Sequence, residues 1–192
     1  MMCPGRTITI GVSSCLLGQA VRYDGGHKHE RCITETLGRY FAFAPFCPEM
    51  GAGLGAPRPA MHLVRQAGEI RAVVSKQPDI DHTEALAGFF DAIRARLQAV
   101  DGYILKSNSP SCGMKQVKVY IPGQEQLPPT LDGAGVFASR LQAAFPLLPI
   151  AEEVHLRNPA LRASFVARVF AHHCRRRLQA EKMSPVVEAS PD

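Results

Sequence analysis

An alternation along the 192 residues restricts the fold most. Short apolar or β-branched runs recur, several of them ending in a Gly-, Ser- or Pro-rich loop, with helix-periodic segments between them. Residues 7–12 (TITIGV) end in Ser13-Ser14-Cys15-Leu16-Leu17-Gly18, with turn chemistry at Tyr23-Asp24-Gly25-Gly26. Residues 41–46 run into Cys47-Pro48-Glu49 and an irregular Gly/Pro stretch over 51–59. Residues 70–75 (IRAVVS) read as a third strand. Residues 102–106 (GYILK) lead into Ser107-Asn108-Ser109-Pro110-Ser111-Cys112-Gly113. Helical periodicity covers 30–40, with Ile33 and Leu37 on one face. It returns from Asp81 or Thr83, either able to cap, to Val100, and again over 135–145. A short strand over 115–121 and a last one over 146–150 complete the series, although Pro149 removes a ladder donor. Residues 158–182 form an amphipathic helix with Leu161, Phe165, Val169 and Phe170 on one face and Arg162, Arg168, Arg175 and Arg176 mostly elsewhere.

This pattern predicts an α/β fold: a mainly parallel sheet with helices on both faces, Rossmann-like and three-layered, plus a C-terminal amphipathic helix. Residues 1–152 read as one domain, 153–183 as a linker helix, and 184–192 (SPVVEASPD) as a disordered tail. No run of 18 apolar residues suggests a membrane span, and the first residues lack a signal peptide's basic start and apolar stretch, so the expected location is the cytoplasm. The net charge of +5 fits an anionic ligand, but the basic residues from 157 to 177 equally describe a solvated helix face.

Cysteine occurs at 3, 15, 32, 47, 112 and 174, without a CxxC pair, so any metal site must be assembled by the fold. In a parallel sheet every strand-to-helix loop leaves from the carboxyl edge, where ligands bind. Cys15, Cys47 and Cys112 each follow a predicted strand and are thereby brought to one edge; Cys3, Cys32 and Cys174 are not. Three thiolates suit zinc or an iron–sulfur cluster. A cubane normally takes four cysteines, so three leave one iron open to a substrate atom. The competing reading is three buried, inert cysteines. Glu49, two residues from Cys47, is placed for general acid–base work. Among Ser107, Ser109 and Ser111, Ser109 is the choice for orienting substrate or water; turn-forming serines are the alternative. Lys106 can neutralise a developing anion, and Ser14 and Ser107 can contact substrate. Arg58, between two prolines, presents a fork suited to phosphate. His27 and His29 beside Cys32 are a weaker metal motif.

Several of these segments, in order, resemble the thiouracil desulfurase (TudS-like) family. They are Ser14-Cys15-Leu16-Leu17-Gly18, Val21-Arg22-Tyr23-Asp24-Gly25-Gly26, Pro45-Phe46-Cys47-Pro48-Glu49, Gly53-Leu54-Gly55-Ala56-Pro57-Arg58, Leu105-Lys106-Ser107-Asn108-Ser109-Pro110-Ser111-Cys112-Gly113 and Asp132-Gly133-Ala134-Gly135-Val136-Phe137. The resemblance covers residues 6 to 150. It implies an oxygen-sensitive 4Fe-4S cluster on Cys15, Cys47 and Cys112. It also implies non-redox replacement of the sulfur of 2-thiouracil or a thiouridine nucleotide, 4-thiouridine included, by water oxygen, with release of sulfide. Glu49 would handle the proton and Ser109 would orient substrate or water. Asp81-His82-Thr83-Glu84 and the segment from Glu152 through Phe170 look closest to a subgroup fused to a YbgA-like domain, here without that second domain. That subgroup often carries an acid two residues after the glutamate, where this chain has Gly51. A small thiolated pyrimidine is the expected partner, with tRNA a lesser one. The alternative is a nucleotide- or RNA-binding module with structural zinc or no metal.

Overall fold

The computed structural model describes residues 7–124 and 126–183, the side chains of 181–183 excepted. Cys3 and the tail 184–192 lie outside the described residues.

Four strands form a parallel sheet: β1 (Thr9–Ser13), β2 (Ala42–Phe46), β6 (Gly102–Leu105) and β9 (Ile150–Glu152), in the order β2-β1-β6-β9. Its central strands are almost wholly buried because both faces are covered. On one face Tyr103, Leu105, Phe46 and Ile150 pack against Phe90, Ile93 and Leu97 of α2 (Thr83–Gln98) and Phe137 and Leu141 of α3 (Val136–Ala144). On the other, Ile10, Val12, Ile104 and Ala151 meet Leu16, Ile33, Leu37, Phe41, and Phe165 and Val169 of α5 (Pro159–Met183). The expected α/β class, with a parallel sheet between helices, is present.

A second sheet combines β3 (Met61–Gln66), β4 (Glu69–Val74), β5 (Gln77–Asp81), β7 (Val117–Tyr120) and β8 (Thr130–Gly133) in the order β5-β4-β3-β7-β8. Its pairings are antiparallel except β3 with β7. Residues 70–75, expected in the parallel sheet, are therefore β4 of this sheet. The physical cause is the Ala67-Gly68 turn: both residues have positive φ (50° and 83°), and such two-residue turns join antiparallel strands. Residues 30–40 are not an α-helix but a π turn (Cys32–Thr36) followed by a 3-10 turn (Leu37–Arg39). The last strand begins only at Ile150, the final residue of the expected 146–150 run, because the prolines at 146 and 149 cannot donate to a ladder.

α2 starts where Asp81 Oδ1 accepts the Thr83 N–H at 2.7 Å, while Thr83 Oγ1 accepts the Ala72 N–H at 2.9 Å. A one-turn α1 (Pro48–Gly51) follows β2, and α4 (Glu153–Leu156) follows β9. In α5, Phe165 and Val169 are buried as expected, but Leu161 is half exposed, one turn ahead of the contact with the sheet. At the amino edge of the sheet the buried Asp101 accepts the Thr9 N–H at 3.1 Å and pairs with His173 at 3.1 Å and Arg176 at 3.0 Å, fastening α5.

Candidate functional site

The chain leaves β1 for β2 on one side, while β6 lies on the other. This makes the carboxyl end of β1 a topological switch point, where a crevice opens. A cavity of about 360 Å³ lies there. Three loops supply its wall: the 3-10 turn Ser14–Leu17 after β1, the start of α1 after β2, and residues 106–113 after β6. Ala60 and Met61, at the entrance to β3, add a contribution from the second sheet.

Cys15, Cys47 and Cys112 all line this cavity and carry free thiols. Burial pushes the Cys15 thiol up to about 11, and the neighbouring Cys47 adds to the rise. Burial also raises Cys47 and, further, Cys112, which feels Glu49 and both other thiols. Opposing this, the Ser13 hydroxyl beside Cys112 and the backbone of Met50 and Glu49 beside Cys47 act in the lowering direction. Ser13 Oγ itself accepts the Lys106 N–H at 3.1 Å. Crowded, desolvated thiols of this kind ionise when a cationic metal centre shares the site. Among the described residues no three His, Cys, Asp or Glu side chains converge as ligands of a single ion. Three soft donors around a cavity, each free to take a different iron, fit a multinuclear cluster.

Glu49 is held from two sides. Its Oε2 accepts from Arg58 Nε at 2.8 Å and from Arg58 Nη2, and its Oε1 accepts from Ser111 Oγ at 2.8 Å. Arg58 also donates to the carbonyls of Val21, at 3.1 Å, and Gly55. Arg58 lines the cavity, but its donors are directed mainly at Glu49 and the loop, so its evident work is to orient the carboxylate. Ser109 Oγ accepts the N–H groups of Ser111 at 3.2 Å and Cys112 at 3.1 Å. It shapes the cysteine loop as acceptor, and its own hydroxyl hydrogen is not used in those contacts. Lys106 Nζ meets Glu153 Oε1 at 2.5 Å and Ser107 Oγ at 3.0 Å, and Glu153 Oε2 accepts the Ser107 N–H at 2.7 Å. Ser14 is buried on the wall.

Thus the fold gathers all nine residues singled out in the sequence: Ser14, Cys15, Cys47, Glu49, Arg58, Lys106, Ser107, Ser109 and Cys112. Among the described residues, Cys32, His27 and His29 stay apart from the cavity. Cys32 contacts the Leu156 carbonyl and Arg162. His27 Nδ1 accepts the His29 N–H, and His29 pairs with Thr34. Ser13, Arg22, Ser111 as the Glu49 partner, and Glu153 escaped sequence reasoning. Glu152 ends β9 and Glu153 follows it, as the cysteines follow their strands, so the same edge rule could have found them. Glu152 accepts the Met114 N–H at 2.8 Å, bracing the far side of the cysteine loop.

A model of the 2-thiouracil desulfurase family matches residues 10–153, a span that runs from β1 to Glu153 and includes every cavity cysteine. The uncharacterized protein YbbK of Bacillus subtilis (strain 168) is 30% identical over 108 residues, 53% of this chain and 71% of that protein. Among solved structures, the 4Fe-4S-dependent thiouracil desulfidase TudS superposes with a TM-score of 0.58 at 29% identity, covering 82% of this chain and 99% of that one. Sequence span and fold agree, and the chain belongs to the 2-thiouracil desulfurase family.

Proposed function

We propose that this protein is an enzyme that removes sulfur from a thiolated pyrimidine, using a 4Fe-4S cluster held by Cys15, Cys47 and Cys112. The observation that carries this reading is the convergence of three thiols, Cys15 and Cys112 buried and Cys47 partly so, on one cavity beside a carboxylate that Arg58 and Ser111 hold in place. Bound by three cysteines, the cluster supplies one open iron, a Lewis acid with affinity for a thiocarbonyl sulfur.

The residues around it perform the proton chemistry. Glu49 takes a proton from water as its oxygen bonds to the ring carbon. The carbon–sulfur bond then breaks, and sulfur leaves with its electron pair and a proton as hydrosulfide, so no external electron donor is needed. The Ser109 hydroxyl donates to the pyrimidine, and Ser14 and Ser107 complete the polar wall. Lys106, already paired with Glu153, offsets negative charge as sulfide develops. Arg22 at the cavity wall is paired only loosely with Asp24, at 3.3 Å, and suits the phosphate of a thiouridine nucleotide. A cavity of about 360 Å³ favours a base or mononucleotide over tRNA. A reducing cytoplasm suits free thiols and a cluster of this kind; no helix among the described residues is long and apolar enough to cross a membrane.

The test is iron and acid-labile sulfide per chain after anaerobic purification, for wild type and C112A, followed by 2-thiouracil and thio-UMP assays. About four of each in wild type, lost in C112A, with uracil or UMP and sulfide formed in equal amounts, is the expected result. Zinc in place of iron, or iron without turnover of any thiolated pyrimidine, would leave the binding-module alternative in front.

A further inference from the structure

Tyr103, in the middle of β6, is fully buried, and its hydroxyl has no hydrogen-bond partner. Buried tyrosine hydroxyls normally find one, because leaving a polar group desolvated and unpaired is costly. The ring cannot swing away to seek another. A Cβ at Gly11 would lie 2.4 Å from Tyr103 Cδ2, so the ring fills the space that this glycine leaves open. Phe46 stacks on it at 6.0 Å between centroids, and Phe137 lies at 5.8 Å.

Its surroundings belong to the cysteine end of the molecule. Phe46 immediately precedes Cys47, and Cys112 is part of the same buried cluster as Tyr103. After burial itself, the groups whose charge the hydroxyl feels are Cys112, Cys47 and Cys15, in that order; together they keep the phenol protonated. Tyr103 does not line the cavity, so it stands behind the cysteines rather than beside the substrate.

We propose that Tyr103 donates its O–H to a sulfide of the bound cluster, and so tunes the cluster as a positioning residue that never touches substrate. The orphaned donor, the fixed ring and the three thiols then have one explanation: the missing acceptor is the sulfur of the assembled centre. Hydrogen bonds to cluster sulfur draw off negative charge, raise the reduction potential and leave the open iron a stronger Lewis acid. This inference rests on the cluster reading above.

The experiment compares wild type with Y103F, which keeps the ring and removes only the hydroxyl. Both are reconstituted anaerobically, assayed for iron, and titrated redox-potentiometrically with EPR detection. Melting temperatures are taken for the iron-free forms. The expected result is equal iron uptake, a lower cluster potential and faster cluster loss in Y103F, and an iron-free melting temperature unchanged or higher. An unchanged potential at equal iron content overturns the proposal. So does a lower melting temperature of iron-free Y103F, which would place the partner within the protein. If the wild type takes up no cluster, the function itself fails, and this inference with it.

Discussion

The Glu49 carboxylate meets Arg58 through one oxygen and Ser111 through the other, and both contacts are largely shielded from solvent. E49Q keeps the size and can still accept from Ser111, but it cannot take a proton. The expected outcome is unchanged iron content with turnover lower by roughly 10²–10⁴-fold. An E49Q enzyme with wild-type turnover and a full cluster would remove Glu49 from the reaction. The cysteines make a separate prediction about pH. In iron-free protein the folded state holds the Cys15 proton up to about 11, against an ordinary value of 9.0, and Cys47 and Cys112 shift the same way. Their contribution to stability is therefore complete below the unfolded value and is lost as pH rises toward the folded one. Denaturation midpoints of the iron-free chain should fall from about pH 9 to 11, more gently in C15S, and iron uptake should release protons. A midpoint flat across that range would contradict the burial of the thiols.

At the scale of elements, the cysteine loop 106–113 is braced from behind by α3. Gly135, Val136 and Ala138 donate backbone N–H groups to the carbonyls of Gly113, Pro110 and Ser111, so the free donors of the helix start are satisfied by the loop that carries Cys112. A Cβ on Gly135 would come within 2.4–2.7 Å of the Ser111 and Cys112 backbone. Backbone cannot give way as a side chain can, so G135A should displace the loop, lowering both iron uptake and thermal stability; normal iron content in G135A would show that the loop tolerates the shift. Gly51 is fixed in a similar way by the Phe89 ring, which occupies the place of its Cβ at 2.0–2.5 Å. An acid at that position would require the Phe89 ring to move aside.

What was legible in the sequence follows from burial. β1 and β6 stand out because strands covered on both faces are largely apolar, and β2 because it keeps an apolar run although it lies mostly part-exposed at the sheet edge; their loops then follow by topology. Of the second sheet, residues 70–75 and 115–121 read as strands (β4 and β7), while β5 and β8 do not show because β5 is exposed along its whole length and β8 is buried only at Gly133. The three cysteines could be grouped from chain order alone. The pairing of Glu49 with Ser111, or of Lys106 with Glu153 across 47 positions, could not, because it depends on side-chain reach rather than on which edge a loop leaves.

For the whole molecule, the two edges of the parallel sheet divide the work. The carboxyl edge holds the cavity, and the amino edge holds Asp101, with His173 and Arg176 of α5 and the Thr9 N–H gathered on one carboxylate. D101A leaves His173 and the Thr9 amide without that partner. It should cost on the order of 3–5 kcal/mol in urea denaturation, while the protein that remains folded keeps its full complement of iron. Iron lost in proportion beyond the unfolded fraction would mean that the edges are coupled through the sheet.

The second sheet enters the chain as two excursions, residues 61–81 between α1 and α2 and residues 117–133 between β6 and α3, and its strand β3 places Met61 on the cavity wall. No cysteine of the cavity sits on it. The cavity thus draws its cysteines from the parallel sheet and part of its wall, Ala60 and Met61, from the entrance to a separately built sheet. On the proposed function, substitutions at Ala60 and Met61 would alter the shape of the cavity for an incoming ring without touching Cys15, Cys47 or Cys112, so selectivity could change while the cysteine loops keep their places.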